Sequence, residues 1–474
     1  MLTKVVATIG PATATRDGIH SLAELGVDVV RVNFAHGTHE QHAEVIRWTR
    51  EASDATGRPI AVLADLAGPK IRIGVLPQPI QLREKETVVL APETEAAGNE
   101  IPTTYPQLAA DVKPGDRILL DDGHLELRVD DVRGTRVECR IIRGGELKSQ
   151  KGMNLPGVNV SVPALTEKDL RDLELAIRED VDYVGLSFVQ RADDVKDLRT
   201  RIPKRTLIVS KIEKDNALEN LEEIIAVTDA VMVARGDLGV ELPFEQVPIA
   251  QKRIIQLANY FARPVITATQ MLESMVNSAR PTRAEVSDVA NALFDGTDAV
   301  MLSGETAVGR YPFLAVEAMV RIATEIEKAR RSGAANHAAP RREMPAHRDP
   351  RAGGTRTEHA VAGATVEAAK LLECPAIVTL TRTGFTARLV SSYRPPVPII
   401  GVTDQPGTWR QLALMWGVQP VLCTSELSYD SMLACARDYL MRSGIARAGD
   451  RVVVTAGVPF HVRGTTNMMR VEAL

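Results

Sequence analysis

The residues Thr206-Leu207-Ile208-Val209-Ser210-Lys211-Ile212-Glu213 decide the fold. An apolar run of strand length ends in charge. Alternate side chains of an extended chain share a face. Val209, Lys211 and Glu213 therefore point the same way, and an apolar layer gives way to an ammonium and a carboxylate at one rim. Seven comparable runs occur: Lys4–Ile9, Val27–Phe34, Pro59–Leu66, Tyr183–Val189, Ala230–Asp237, Pro264–Thr269 and Asp298–Ser303. Near-continuous apolar content is what strands of a parallel sheet covered by helices require. Stretches of helix length and mixed polarity, such as Leu165–Arg178 and Phe244–Phe261, lie between them. Eight such units close into an α/β (β/α)8 TIM barrel; a doubly wound open sheet is the alternative.

One connection is too long for a crossover. Between Leu66 and Tyr183, Ile118–Leu120, Leu125–Val129 and Val137–Ile141 alternate with Gly/Asp turns and read as short antiparallel strands. This predicts an inserted β-barrel-like lid over residues 73–154, interrupting a barrel domain of residues 1–72 and 155–332. A lid over a barrel mouth would exclude water from reacting groups beneath it. Residues 333–356, rich in proline and charge without apolar period, read as a linker. Residues 357–474 restart an α/β pattern and form a C-terminal domain.

Composition narrows the function. A formal net charge of −4 leaves no global positive field for nucleic acid, and no basic stripe is interleaved with aromatics. No apolar run is long enough to span a membrane, and the N-terminus reads straight into a strand, so a cytoplasmic address is expected. Cys139, Cys374, Cys423 and Cys435 form no CxxC pair, and neither a disulfide framework nor a zinc knuckle is expected.

Barrels place their chemistry at the carboxyl ends of the strands. Here those ends carry Arg31, Asn33 and His36, then Asp65, Lys211 and Glu213, Arg235 and Asp237, Thr269, and Glu305. Strand parity puts Arg235 and Asp237 on one face. Glu213 and Asp237 offer only oxygen, which suits Mg²⁺ or Mn²⁺ rather than zinc. Arg31, Arg72 and Lys211 add positive charge, matching a substrate with phosphate and carboxylate groups. Taken singly, each charge is as readily a helix cap or surface ion pair; the set is what points to chemistry.

These strings resemble the pyruvate kinase family. The likeness rests on Ala7-Thr8-Ile9-Gly10-Pro11, Arg31-Val32-Asn33-Phe34-Ala35-His36-Gly37, Gly68-Pro69-Lys70-Ile71-Arg72 and Lys151-Gly152-Met153-Asn154-Leu155-Pro156-Gly157. It continues through Ser210-Lys211-Ile212-Glu213, Ala234-Arg235-Gly236-Asp237-Leu238-Gly239, the run from Thr269-Gln270-Met271-Leu272 through Pro281-Thr282-Arg283-Ala284-Glu285-Val286-Ser287-Asp288-Val289-Ala290-Asn291-Ala292, and Met301-Leu302-Ser303-Gly304-Glu305-Thr306. The resemblance implies transfer of a phosphoryl group from phosphoenolpyruvate to ADP, giving pyruvate and ATP in the last step of glycolysis. It implies catalytic roles for Lys211, Thr269 and Arg31, and a Mg²⁺ or Mn²⁺ site at Glu213 and Asp237. Substrate contacts would come from Arg31, Lys211, Ala234, Arg235, Gly236, Asp237 and Thr269, with Gly236 allowing close approach of a carboxylate. Nucleotide contacts would come from Asn33, His36, Arg72 and Lys151. A homotetramer is implied as well.

Two departures bear on potassium. Relatives that require K⁺ place a serine and a threonine where this chain has Ala35 and Leu66, so two oxygen ligands are missing beside Asn33 and Asp65. Lys70 stands where those relatives carry glutamate, and its ammonium would replace the ion. The expected enzyme works without K⁺. In the C-terminal domain, Thr381, Arg382, Thr383, Gly384 and Thr386 lie between a strand and a helix. By resemblance they form an effector site for a sugar phosphate or nucleotide; the other reading is an unliganded cap and turn. Two rival functions remain. A metal-dependent lyase or aldolase would share the Lys/Glu/Asp centre without needing a nucleotide. A non-catalytic sensor would be expected to lose Lys211 or Thr269, and both are present.

Overall fold

Eight short strands close into a parallel barrel in the computed structural model, which describes residues 1–332, 356–424, 428–459 and 465–474. They are β1 Lys4–Ile9, β2 Val29–Asn33, β3 Ala61–Asp65, β4 Tyr183–Leu186, β5 Leu207–Ile212, β6 Ala230–Ala234, β7 Val265–Ala268 and β8 Ala299–Leu302. Each pairs with its sequence neighbour, and β1 closes onto β8. The open-sheet alternative is thereby excluded. Val6, Val29, Leu63, Tyr183, Val209, Met232, Ile266 and Met301 fill the interior, and a second cluster fills the space between barrel and helices. Two faces buried against different cores explain why the strands are apolar throughout.

Between β3 and β4, a six-stranded sheet is built around Arg117–Leu120, Leu125–Arg133, Arg136–Arg143 and Thr87–Pro92. It has its own core, including Leu90, Ile118, Leu127 and Val137. Its last strand, Met153–Asn154, leads the chain back to the barrel. The C-terminal domain carries a five-stranded sheet between helices, with Met468–Ala473 as an antiparallel edge. The stretch read as a linker, 333–356, lies outside the described residues except for Arg356, which opens the helix Arg356–Leu371.

Two features depart from the sequence reading. Cys423 and Cys435 are joined as a disulfide, tying the end of Val418–Leu422 to the helix Tyr429–Arg442, with Cα atoms 6.0 Å apart. Their separation of twelve residues carries no motif, so only the fold brings them together. The bottom of the barrel is also not closed by the barrel itself. Ala413 and Leu414, from a single 3₁₀ turn of the C-terminal domain, complete its interior core. Around this plug, Tyr183 Oη donates to the Gln411 carbonyl at 2.7 Å. Arg410 pairs with Asp182 at 2.7 Å. Arg394 grips Asp298 at 2.9 Å and the Gly296 carbonyl at 2.6 Å. Removing one member of such a buried pair strands the other. Arg394→Ala is expected to cost about 3 kcal/mol, read as a lower thermal unfolding midpoint, because Asp298 is only 5% exposed.

Candidate active site

The charged centre is built by strand parity. Val29 and Arg31 share a face of β2, Leu63 and Asp65 a face of β3, and Val209 and Lys211 a face of β5, so the three charges stand one layer above the interior core. Asp65 is their hub. Its Oδ2 accepts from Arg31 Nε at 2.7 Å and Nη2 at 2.6 Å, and its Oδ1 lies 3.3 Å from Lys211 Nζ. A side chain at Gly185 on the neighbouring strand would meet Asp65 Oδ1 at 2.8 Å, so this position has room only for glycine. Arg31 also donates to Thr8 Oγ1 at 3.0 Å.

Lys211 Nζ donates to Ser187 Oγ at 2.7 Å and pairs with Glu213 at 2.8 Å. Burial opposes its charge, but Asp65 and Glu213 outweigh burial and hold its pKa above the ordinary lysine value. For Asp65, burial is likewise overcome by Lys211 and Arg31, and its carboxyl stays low. Glu213 behaves oppositely. Burial, with the charge of Asp237 added, pushes it above the usual carboxylate range despite Lys211 and the Phe188 N–H at 2.7 Å. Asp237 makes no ion pair or hydrogen bond among the described residues and lines the open cleft. Two close, mutually repelling carboxylates, one of them unpaired, fit a hard divalent cation.

Strand parity fails at Arg235. β6 stops at Ala234, and Arg235–Glu241 is helical, so residues two apart no longer share a face. Asp237 faces the cleft. The Arg235 side chain turns away, donating to the Thr269 carbonyl at 2.7 Å and to Asp288 at 2.6 Å. Thr269 and Gln270 have φ of 65° and 54°, a left-handed pair costing on the order of 1–3 kcal/mol each. Thr269 Oγ1 donates to the Ala268 carbonyl at 2.7 Å and accepts from the Gly236 N–H at 2.8 Å. That N–H is thus engaged by threonine. A methyl group at Gly236 would sit 3.4 Å from Thr269 Oγ1, an ordinary contact, so packing against Thr269 does not itself demand glycine here.

A cleft of about 270 Å³ separates barrel and inserted domain, lined by Lys70, Arg72, Asp121, Lys151, Lys214 and Asp237 among others. Lys151 pairs with Asp121 at 2.7 Å. The Lys70 ammonium is lowered by desolvation and by Arg72 and Lys211, while Asp237 and Glu213 oppose the shift, so it lies within reach of the whole centre. His36 is lowered by partial burial and by Lys70, Arg72 and Arg31. Asn33 Oδ1 accepts from the Ala35 N–H at 3.1 Å. The loop Thr381–Thr386 belongs to the other domain. Gly384 is left-handed with φ 78°, Arg382 pairs with Asp404 at 3.4 Å, and Thr386 Oγ1 meets Thr466 Oγ1 at 2.9 Å. Sequence reasoning missed Ser187 and the Lys214–Glu241 pair at 3.1 Å, since only three-dimensional proximity links them to the site, and it gave Asp288 no role although the residue lies in a family-like string.

A closed parallel barrel with a buried lysine between carboxylates, beside a cleft edged by cations, marks a barrel enzyme for a substrate carrying several negative charges. Residues 1–316 match the family described as "Pyruvate kinase, barrel domain", and residues 359–472 match "Pyruvate kinase, alpha/beta domain". The chain belongs to the pyruvate kinase family. It is 44% identical to a pyruvate kinase of Geobacillus stearothermophilus over 480 aligned residues, covering 100% of this chain and 80% of that relative. It is 43% identical to a pyruvate kinase of Mycobacterium tuberculosis, covering 99% of this chain and 98% of the other. The crystal structure of a pyruvate kinase from Cryptosporidium parvum is similar with a TM-score of 0.91 at 34% identity, covering 99% of this chain and 96% of that one. No helix among the described residues is long and apolar enough to cross a membrane.

Proposed function

We propose that this chain transfers the phosphoryl group of phosphoenolpyruvate to ADP without K⁺, using Lys211 as its central cation. The observation that carries this reading is Lys211 itself: a buried ammonium held by Ser187, Asp65 and Glu213 at the strand ends, within electrostatic reach of Lys70, which lines a cleft with Arg72 and Lys151. Its charge is fixed before substrate arrives, so it can stabilise the charge that develops on the transferring phosphoryl and enolate oxygens. Arg31, oriented by Asp65, meets the substrate phosphate. Arg72 and Lys151 meet the nucleotide phosphates, with Asn33 and His36 beside them. Glu213 and Asp237 would hold Mg²⁺ or Mn²⁺, which when bound polarises phosphoryl oxygens. The backbone at Ala234–Asp237 faces the substrate carboxylate. Thr269 passes a proton from water to the enolate carbon, since its hydroxyl is too weakly acidic to act alone.

The reading places the enzyme in the cytoplasm as a homotetramer, without nucleic-acid or membrane partners. The C-terminal loop Thr381–Thr386 would take a sugar phosphate or nucleotide effector.

Pyruvate formation from phosphoenolpyruvate, ADP and Mg²⁺ should be equally rapid with K⁺ and with a bulky inert cation at matched ionic strength. Strong stimulation by K⁺ would overturn the Lys70 reading and keep the reaction. Loss of phosphoenolpyruvate without any need for ADP would favour an aldolase or lyase.

A further inference from the structure

We propose that Arg235 and Asp288 form a clamp that holds Thr269 in its working conformation, making both of them positioning residues for protonation of the enolate. The proposal rests on the functional reading above. Thr269 is β-branched and left-handed, Gln270 after it is left-handed too, and such backbone persists only where its surroundings impose it. The restraint is visible. Arg235 Nη2 and Nε donate to the Thr269 carbonyl at 2.7 and 3.2 Å, and Nε reaches the Ala268 carbonyl at 3.4 Å. The fork is fixed from behind by Asp288, on the helix Arg283–Asp295 that follows β7, at 2.6 Å. Met271 and Gln251 close its remaining sides.

The other half of the arrangement faces the site. The Gly236 N–H, next in sequence to Arg235, donates to Thr269 Oγ1, so one dipeptide fixes both the carbonyl and the hydroxyl of the same threonine. The side chains of Arg235 and Asp288 need not touch substrate, since they act on Thr269. Its effect falls on the step in which the enolate carbon gains a proton from water and the C2–O bond becomes a carbonyl. Phosphoryl transfer, centred on Lys211, lies outside it.

Asp288→Asn keeps the size and removes the charge that anchors Arg235. In the full-length enzyme with Mg²⁺ and nucleotide, exchange of the pyruvate methyl hydrogens with deuterium oxide should fall about tenfold or more. Single-turnover consumption of phosphoenolpyruvate with ADP should fall by less than about threefold, which corresponds to well under one decade of transition-state stabilisation. Asp288→Glu should restore the exchange. Asp288→Ala, which removes the anchor outright at a side chain 39% exposed, should give the same split and replaces the Asn variant should that one fail to fold. Equal losses in both assays, or no loss in exchange from a folded variant, would overturn the clamp. A wild-type enzyme that exchanges methyl hydrogens but never consumes phosphoenolpyruvate with ADP would overturn the functional reading instead.

Discussion

Lys211→Met is expected to lower kcat on the order of 10³-fold, the upper end for removing one preorganised charge from a developing anion. The KM for ADP should stay within about twofold, because uniform nucleotide binding depends on other groups. The prediction follows from how the ammonium is held. Ser187, Asp65 and Glu213 occupy it at 2.7, 3.3 and 2.8 Å, so its position and charge are settled before the reaction begins. Methionine has similar length and would fill the space. It would also leave Asp65 facing Arg31 alone, and Glu213, already raised by burial and Asp237, would be driven further toward its neutral form. Weaker divalent-cation binding is therefore a second expected effect, measured by titrating Mn²⁺ against the folded variant. Comparable losses in kcat and in nucleotide affinity would count against a transition-state role for Lys211.

The same neighbourhood shows what the sequence could and could not disclose. Parity along Thr206–Glu213 placed Lys211 and Glu213 above Val209 correctly, because the strand runs uninterrupted to Ile212. Identical reasoning failed at the end of the next barrel strand, β6. Nothing in Ala234-Arg235-Gly236-Asp237 signals that a helix begins at Arg235, and the argument from alternation broke there. The barrel itself was legible because parallel strands buried on both faces leave a continuous apolar record. The hub role of Asp65 was not, since it arises from register between β2, β3 and β5. From sequence, Asp65 was one charge at a strand end and one member of a monovalent-ion site; in three dimensions its Oδ2 takes Arg31 and its Oδ1 stands 3.3 Å from Lys211. The plug at Ala413 and Leu414 left no periodic trace, being one turn long. The Cys423–Cys435 bridge depends on a strand and a helix meeting across the C-terminal sheet.

Lys70→Glu is the change expected to alter the enzyme's ionic requirements most. Without K⁺, activity should fall about 10²–10³-fold, since a fixed cation beside the developing charge is replaced by an anion. Lys70 lies within electrostatic reach of Arg72, Lys211, Asp237 and Glu213, so the reversal acts on the whole centre rather than on one contact. Added K⁺ should restore only part of the loss. A monovalent ion near Asn33 and Asp65 would find no side-chain oxygen at Ala35 or Leu66, and Leu66 is buried at 1% exposure. Adding Ala35→Ser and Leu66→Thr to the same chain supplies the two missing oxygens, and K⁺ should then recover most of the activity while Na⁺ does not. Initial rates at constant ionic strength separate the cases. Unchanged activity of Lys70→Glu in the absence of K⁺ would show that the ammonium does not stand in for the ion. Full rescue by K⁺ without the added hydroxyls would show that backbone oxygens and water already complete the site.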